Sequence, residues 1–132
     1  MLLAALETLY GNDFGLSAIP GFIKGGEYIL HMVGPSCLPF NFGDSGSRMR
    51  LNTSLFWFAR KTKNPALLRN ECKLLLEIPN YDYEQYRRML PSIFVLGKDI
   101  NLANLPKPKV DMFAAKNEAP VCLMRSSWKE DA

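Results

Sequence analysis

The apolar positions of this chain recur first with a helical period and only near the end with an alternating one. Leu2, Leu3, Leu6 and Leu9 or Tyr10 share one face of a helix over residues 2–10, which Gly11, Asn12 and Asp13 end. A second helix is predicted from near Ser17 to about Val33. Pro20 stands inside its first turn, and Phe22, Ile23, Tyr28, Ile29 and Met32 form its apolar side. The paired Gly25 and Gly26 weaken this helix and point to a close approach by another backbone. Gly34 and Pro35 stop it. Beyond a loop over 34–48, Asn52, Thr53 or Ser54 can cap a short helix carrying Leu55, Phe56, Phe58 and Ala59. Trp57 lies between two phenylalanines, so the three rings cannot share one face; core packing is the leading reading, with one ring exposed or covered by a missing neighbour as the other. Asn64 then caps a helix with Pro65 at its first position and a stripe of Leu67, Leu68, Leu74 and Leu75. Asp82 and Gln85 are spaced as a capping box for a further helix, interrupted by Pro91, with a last turn running into "SIFVL".

From Gly97 the pattern changes. "GKDINLANLPKPKV" has no helical period and reads as a connector. "KVDMF" and "PVCLMRSSW" alternate as strands do. The fold class is therefore mainly α, with four or five helices over 1–97, followed over 98–132 by a linker and one or two short β-strands of a β-rich unit. Two short strands cannot form a stable sheet alone. The helical period is already running at the first residue, so both ends read as those of a piece of something larger.

Composition narrows the function classes. The 132 residues carry a formal net charge of +3, with Lys and Arg scattered among Asp and Glu. This gives no electrostatic case for nucleic acid, while a mildly basic surface suits an acidic polymer. No apolar run is long enough for a bilayer, and "MLLAALETLY" lacks the basic flank and cleavage site of a signal peptide. Cys37, Cys72 and Cys122 are widely spaced and match no zinc pattern, so no metal and no cofactor is expected, and the cysteines read as free thiols.

The loop "GPSCLPFNFGDSGSR" is unusual in combining helix breakers with two aromatics. Together with its surroundings it carries a resemblance. "ALETLYGNDFGLSAIPGFIKGGEYILHMVGPSCLPFNFGD" resembles the later helices of the catalytic toroid in heparinase II/III-like polysaccharide lyases. "LFWFARKTKNPAL" looks like the next helix pair, and "APVCLMRSSW" resembles the strand leading into their β-sandwich. The most specific part is "GPSxxxFNFxD" with "MRSSW" downstream.

The resemblance implies a partial (α/α) toroid leading into an antiparallel β-domain. It also implies β-elimination on a uronic-acid polysaccharide, in the periplasm or outside the cell. That reaction removes the C5 proton after the uronate carboxylate has been neutralised, with a Tyr or His as base and a Tyr or water-linked group protonating the leaving oxygen. In this family the Asn/His pair and the catalytic Tyr lie earlier in the toroid, and a further His lies in the β-domain. No position of this chain matches them, nor the structural zinc site of some relatives. The chain is thus expected to contribute part of a substrate cleft and to be inactive alone. The alternative is a non-catalytic helical scaffold or carbohydrate-binding module. Self-association through exposed helical faces is a further possibility.

Candidate substrate-binding residues are Phe40 and Phe42, whose rings can stack on a pyranose, Asn41 and Asp44, which can bond hydroxyls, and Arg48, which suits a carboxylate. A purely structural loop explains the same residues, with the aromatics as a plug and Asp44 as a cap. His31, the single histidine, and Tyr28, one turn before it, are the weak candidates for acid–base chemistry. For His31, which has no identifiable acidic or metal partner, a packed or partly exposed structural role is the favoured reading. Arg60, Lys61 and Lys63 are explained by a helix dipole, and Arg125 and Trp128 by a structural role at the domain junction.

Overall fold

A computed structural model describes residues 2–34, 36–41, 46, 48–77, 89–109, 111–116, 118 and 120–129. Among them five α-helices precede two strands: α1 (Leu2–Tyr10), α2 (Gly25–His31), α3 (Ser54–Thr62), α4 (Arg69–Glu77), α5 (Leu90–Gly97), β1 (Met112–Ala115) and β2 (Val121–Met124). Short 3-10 helices cover Leu16–Ala18 and Pro65–Leu68. The architecture is mainly α with two short strands after a linker, as the periodicity predicts.

α3 is the centre. Leu55 through Ala59 are all buried, five consecutive residues on every side of the helix. Core packing, the leading reading of Phe56, Trp57 and Phe58, holds for all three rings because α2, α5, the Pro65–Leu68 turn and α1 surround α3. Phe56 has no exposed surface. Phe22 lies 6.1 Å from Trp57 and 5.6 Å from Phe58, ring centre to ring centre. The Trp57 indole N–H donates to Glu7 Oε2 of α1 at 2.8 Å. Lys61 is not merely a dipole charge: its ammonium donates to Glu7 Oε1 at 2.6 Å and Asp13 Oδ2 at 3.2 Å. The Asp13 carboxyl falls to about 2, held down first by the Ser17 hydroxyl and then by Lys61 and the Gly15 N–H, against the opposing effect of burial.

The second helix is shorter than its apolar pattern predicts. Phe22 N–H donates to Ile19 O at 3.0 Å, and Gly21 has φ +82° after Ile19 leaves the helical region at ψ 128°. That is a type II turn, with Pro20 and Gly21 in the positions the turn requires. The α-helix therefore begins only at Gly25. Gly26 meets α3 closely: a Cβ there would lie 3.0 Å from Phe58 Cβ and 3.3 Å from Leu67 Cδ1.

Other expectations need revision. Leu2, Leu9 and Tyr10 of α1 are exposed, and the helix packs through Leu3 and Ala4. Asn64 makes no side-chain cap; its carbonyl accepts from Leu67 N–H at 3.3 Å. Pro91 stands in the first turn of α5. The helix predicted from Asp82 lies outside the described residues. The cap of α3 is Asn52, whose Oδ1 accepts from Ser54 N–H at 3.1 Å and Ser54 Oγ at 2.6 Å.

β1 starts later than "KVDMF" suggests, and the strands pair antiparallel with Phe113 opposite Leu123 and Ala114 opposite Cys122. So small a sheet needs a support. It has one in α2: Phe113 and Trp128 are buried, and Trp128 belongs to the main core.

Candidate functional site: a cleft between the second helix and the hairpin

The side of α2 opposite Gly26 faces the hairpin. Lys24 and Tyr28, four residues apart, lie along one stripe. Together with Pro20, Gly21 and Gly25 they form one wall of a cleft of about 930 Å³. Phe113, Ala114, Ala115, Lys116 and Val121 form the other. The Tyr28 and Phe113 rings meet with centroids 5.5 Å apart and planes at 53°. Lys24 and Lys116 are the charged residues among this lining, and both are exposed. The volume lies within the range of about 300–1,000 Å³ usual for ligand sites. A lining that holds both aromatic rings and cations can seat a ring that carries a carboxylate.

His31 opens elsewhere. It lines a second cleft of about 460 Å³ with Glu27, Leu30, Lys63, Asn64 and Lys109 among its walls. Its ring is 7 % exposed, stands 6.0 Å from the Phe113 ring, and meets Trp128 edge-on at 5.3 Å. Nδ1 is buried without a hydrogen-bond partner. Burial first, and the Arg125 charge second, hold the imidazole below its ordinary pKa, with Asp111 opposing them. Tyr28 and His31 thus share Phe113 as a neighbour but face different clefts, so they do not address one substrate as an acid–base pair.

Phe40, Asn41 and Arg48 are not among the residues that line either cleft. Phe40 is 55 % exposed, and its N–H donates to Met32 O at 2.7 Å. Asn41 and Arg48 are exposed. Phe42 and Asp44 lie outside the described residues. Val33 and Pro39 form an isolated antiparallel bridge that folds the start of the loop back on the end of α2.

Arg125 and Trp128 make the junction. The Arg125 guanidinium lies 3.6 Å from the Trp128 ring centre and donates through Nη2 to Val33 O at 2.9 Å and His31 O at 3.2 Å. It therefore satisfies carbonyls at the end of α2 that the helix leaves without partners. Arg69 Nη2 donates to Trp128 O at 3.2 Å.

One buried charge was not anticipated. Glu71 of α4 is 1 % exposed, and its Oε2 accepts from Asn52 N–H at 2.7 Å. Burial pushes its carboxyl up to about 7, with the Asn52 N–H acting in the other direction. Its position midway between Leu67/Leu68 and Leu74/Leu75 is the signal that marks it as facing inward.

Cys37 and Cys72 are half-buried, Cys122 is exposed, and none of the three is in a disulfide; Lys73 Nζ donates to Cys37 Sγ at 3.4 Å. Among the described residues no group of three or more His, Cys, Asp or Glu could hold a metal ion, and no helix is long and apolar enough to cross a membrane. No protein-family model matches the chain, and no curated protein matches it.

Proposed function

We propose that this chain is part of a heparinase II/III-like polysaccharide lyase and supplies one wall of the groove that holds a uronic-acid polymer, without turning the polymer over by itself. The observation that carries the reading is the cleft between α2 and the hairpin, whose lining includes Lys24 and Lys116 as well as Tyr28 and Phe113, whose rings meet at 5.5 Å. Lys24 and Lys116 neutralise the uronate carboxylate, the condition for making the C5 proton acidic. The Tyr28 face packs on the sugar. The base that takes the proton belongs to segments outside this chain, because Tyr28 and His31 do not converge. A non-catalytic carbohydrate-binding module is the second reading, and it uses the same cleft and the same residues.

The chain is incubated with alginate, heparin or heparan sulfate. Ultraviolet absorbance of the unsaturated product reports cleavage, and retention on the immobilised polymer reports binding. The expected result is no turnover, with weak binding that salt abolishes. The double variant Lys24→Ala, Lys116→Ala lowers that binding by roughly tenfold at low salt. Turnover by this chain alone overturns the claim that the base lies elsewhere. Binding that is absent, or unchanged in the double variant, removes the cleft from the reading.

A further inference from the structure

His31 is a buried titratable group that the proposed cleft does not use, and its surroundings give it another task. The segment 111–129 attaches to α2 at three places: Phe113 against Tyr28 and His31, Trp128 edge-on to His31, and the Arg125 guanidinium on the His31 and Val33 carbonyls. Every one involves His31 or a residue within three positions of it. We propose that His31 is a proton-operated latch, holding the hairpin on α2 while its imidazole is neutral and releasing it when the ring is protonated.

The physical case begins with Nδ1, which has no partner and no access to water. An imidazolium carries a proton on both ring nitrogens, so protonation places an unsatisfied donor and a charge in that position. The groups around the ring do not compensate. Arg125, from the segment after β2, repels the new cation, and Asp111, before β1, attracts it; the repulsion is the larger of the two. Arg69 of α4 adds positive charge next to Arg125. In the smaller cleft Glu27 of α2 stands against Lys63 and Lys109. The cheapest relief is to hydrate the buried nitrogen, and Phe113 and Trp128, the rings packed against the imidazole, are the contacts that yield in the latch. Two four-residue strands have little stability of their own to resist.

Because Phe113 also walls the larger cleft, release would open that wall and weaken retention of an acidic polymer. This consequence alone rests on the function proposed above. The latch itself is tested without any ligand.

Backbone deuterium exchange on the full chain, corrected for intrinsic rates, is compared at about pH 8 and about pH 5, which bracket the ordinary histidine titration. The expected result is that amides of β1 and β2 lose roughly tenfold or more of their protection at the lower pH while those of α3, beside the Glu71 carboxyl that acid favours in the folded state, lose none. In His31→Phe, which retains an aromatic ring against Phe113 and Trp128 but takes no proton, hairpin protection does not fall at the lower pH. Wild-type protection that does not change, or an equal loss in His31→Phe, overturns the proposal. Should that variant fail to fold, the imidazole titration followed by NMR in the wild type decides. Its midpoint must coincide with that of hairpin opening, and a separation of the two midpoints overturns the proposal equally.

Discussion

Glu71→Gln tests the energetics of the core directly. The carboxyl of Glu71 is nearly inaccessible and receives the Asn52 N–H, and burial raises it from 4.5 to about 7. At about 1.4 kcal/mol per pH unit, that rise sets a penalty of roughly 3 kcal/mol on the ionised folded state. The sign follows from proton counting. Between the unfolded and folded values the native state holds more protons than the unfolded chain, so stability is full below about 4.5, falls through about 7, and is level above it. Glutamine cannot ionise and keeps an oxygen for Asn52. Its NH₂ brings a cost of about 1–3 kcal/mol if left unpaired, but that cost is independent of pH.

The quantity to measure is therefore the difference in unfolding free energy between variant and wild type, by urea denaturation at several pH values from about 4 to about 8. Taking the difference removes His31, whose lowered value acts oppositely: it costs stability as pH falls below 6.5. The difference should move in favour of Glu71→Gln by roughly 3 kcal/mol from the acid to the alkaline end, a midpoint shift on the order of 1–2 M urea. A difference flat to within about 0.5 kcal/mol, or one that favours the variant at acid pH, refutes the argument that burial penalises the ionised Glu71.

The two neighbouring glycines of α2 should respond with opposite signs. Gly26→Ala meets Phe58 Cβ at 3.0 Å and should lose about 1–3 kcal/mol in a chemical melt, whereas at Gly25 the nearest atom is 3.9 Å away and alanine should gain up to about 1 kcal/mol. Lys63 closes α3 in the left-handed region at φ 52°, with Asn64 N–H donating to Ala59 O at 2.9 Å. Lys63→Gly should raise thermal stability by about 0.5–1 kcal/mol, and a loss would show that the side chain, not the backbone, matters there.

What the sequence made legible was whatever local chemistry decides. The Asn52 cap of α3, Pro65 at a helix start and the late change to alternating strands all follow from neighbours within a few residues. Failures came where two local signals competed or where partners were distant. Phe22 and Ile23 continue a helical period, but Pro20–Gly21 imposes a turn of its own, and the turn won. Trp57 could be placed only by knowing that α1 brings Glu7 to its N–H across 50 positions. Lys24 and Tyr28 were readable as one helical stripe, yet Phe113 and Lys116, which complete the cleft, come from the far end of the chain. Glu71 was hidden because a charge inside an apolar stripe reads as an interruption when it is in fact a buried group.

α2 joins these pieces. It has only seven residues, too few to stand without tertiary support, and each of its sides has a different neighbour. Gly26 and Leu30 face α3 and the core, Tyr28 faces the cleft, and His31 with the carbonyls at its end faces Phe113, Trp128 and Arg125. A shift of this helix cannot be absorbed on one side alone. The close contact at Gly26 leaves no slack toward α3, so a disturbance at His31 is passed to the hairpin. The hairpin is the softer partner, because its four-residue strands lean on α2 through Phe113 and on the core through Trp128. That ordering of stiffness, rigid toward the core and yielding toward the hairpin, is why a proton on one buried imidazole is expected to change the shape of a cleft that the imidazole does not line.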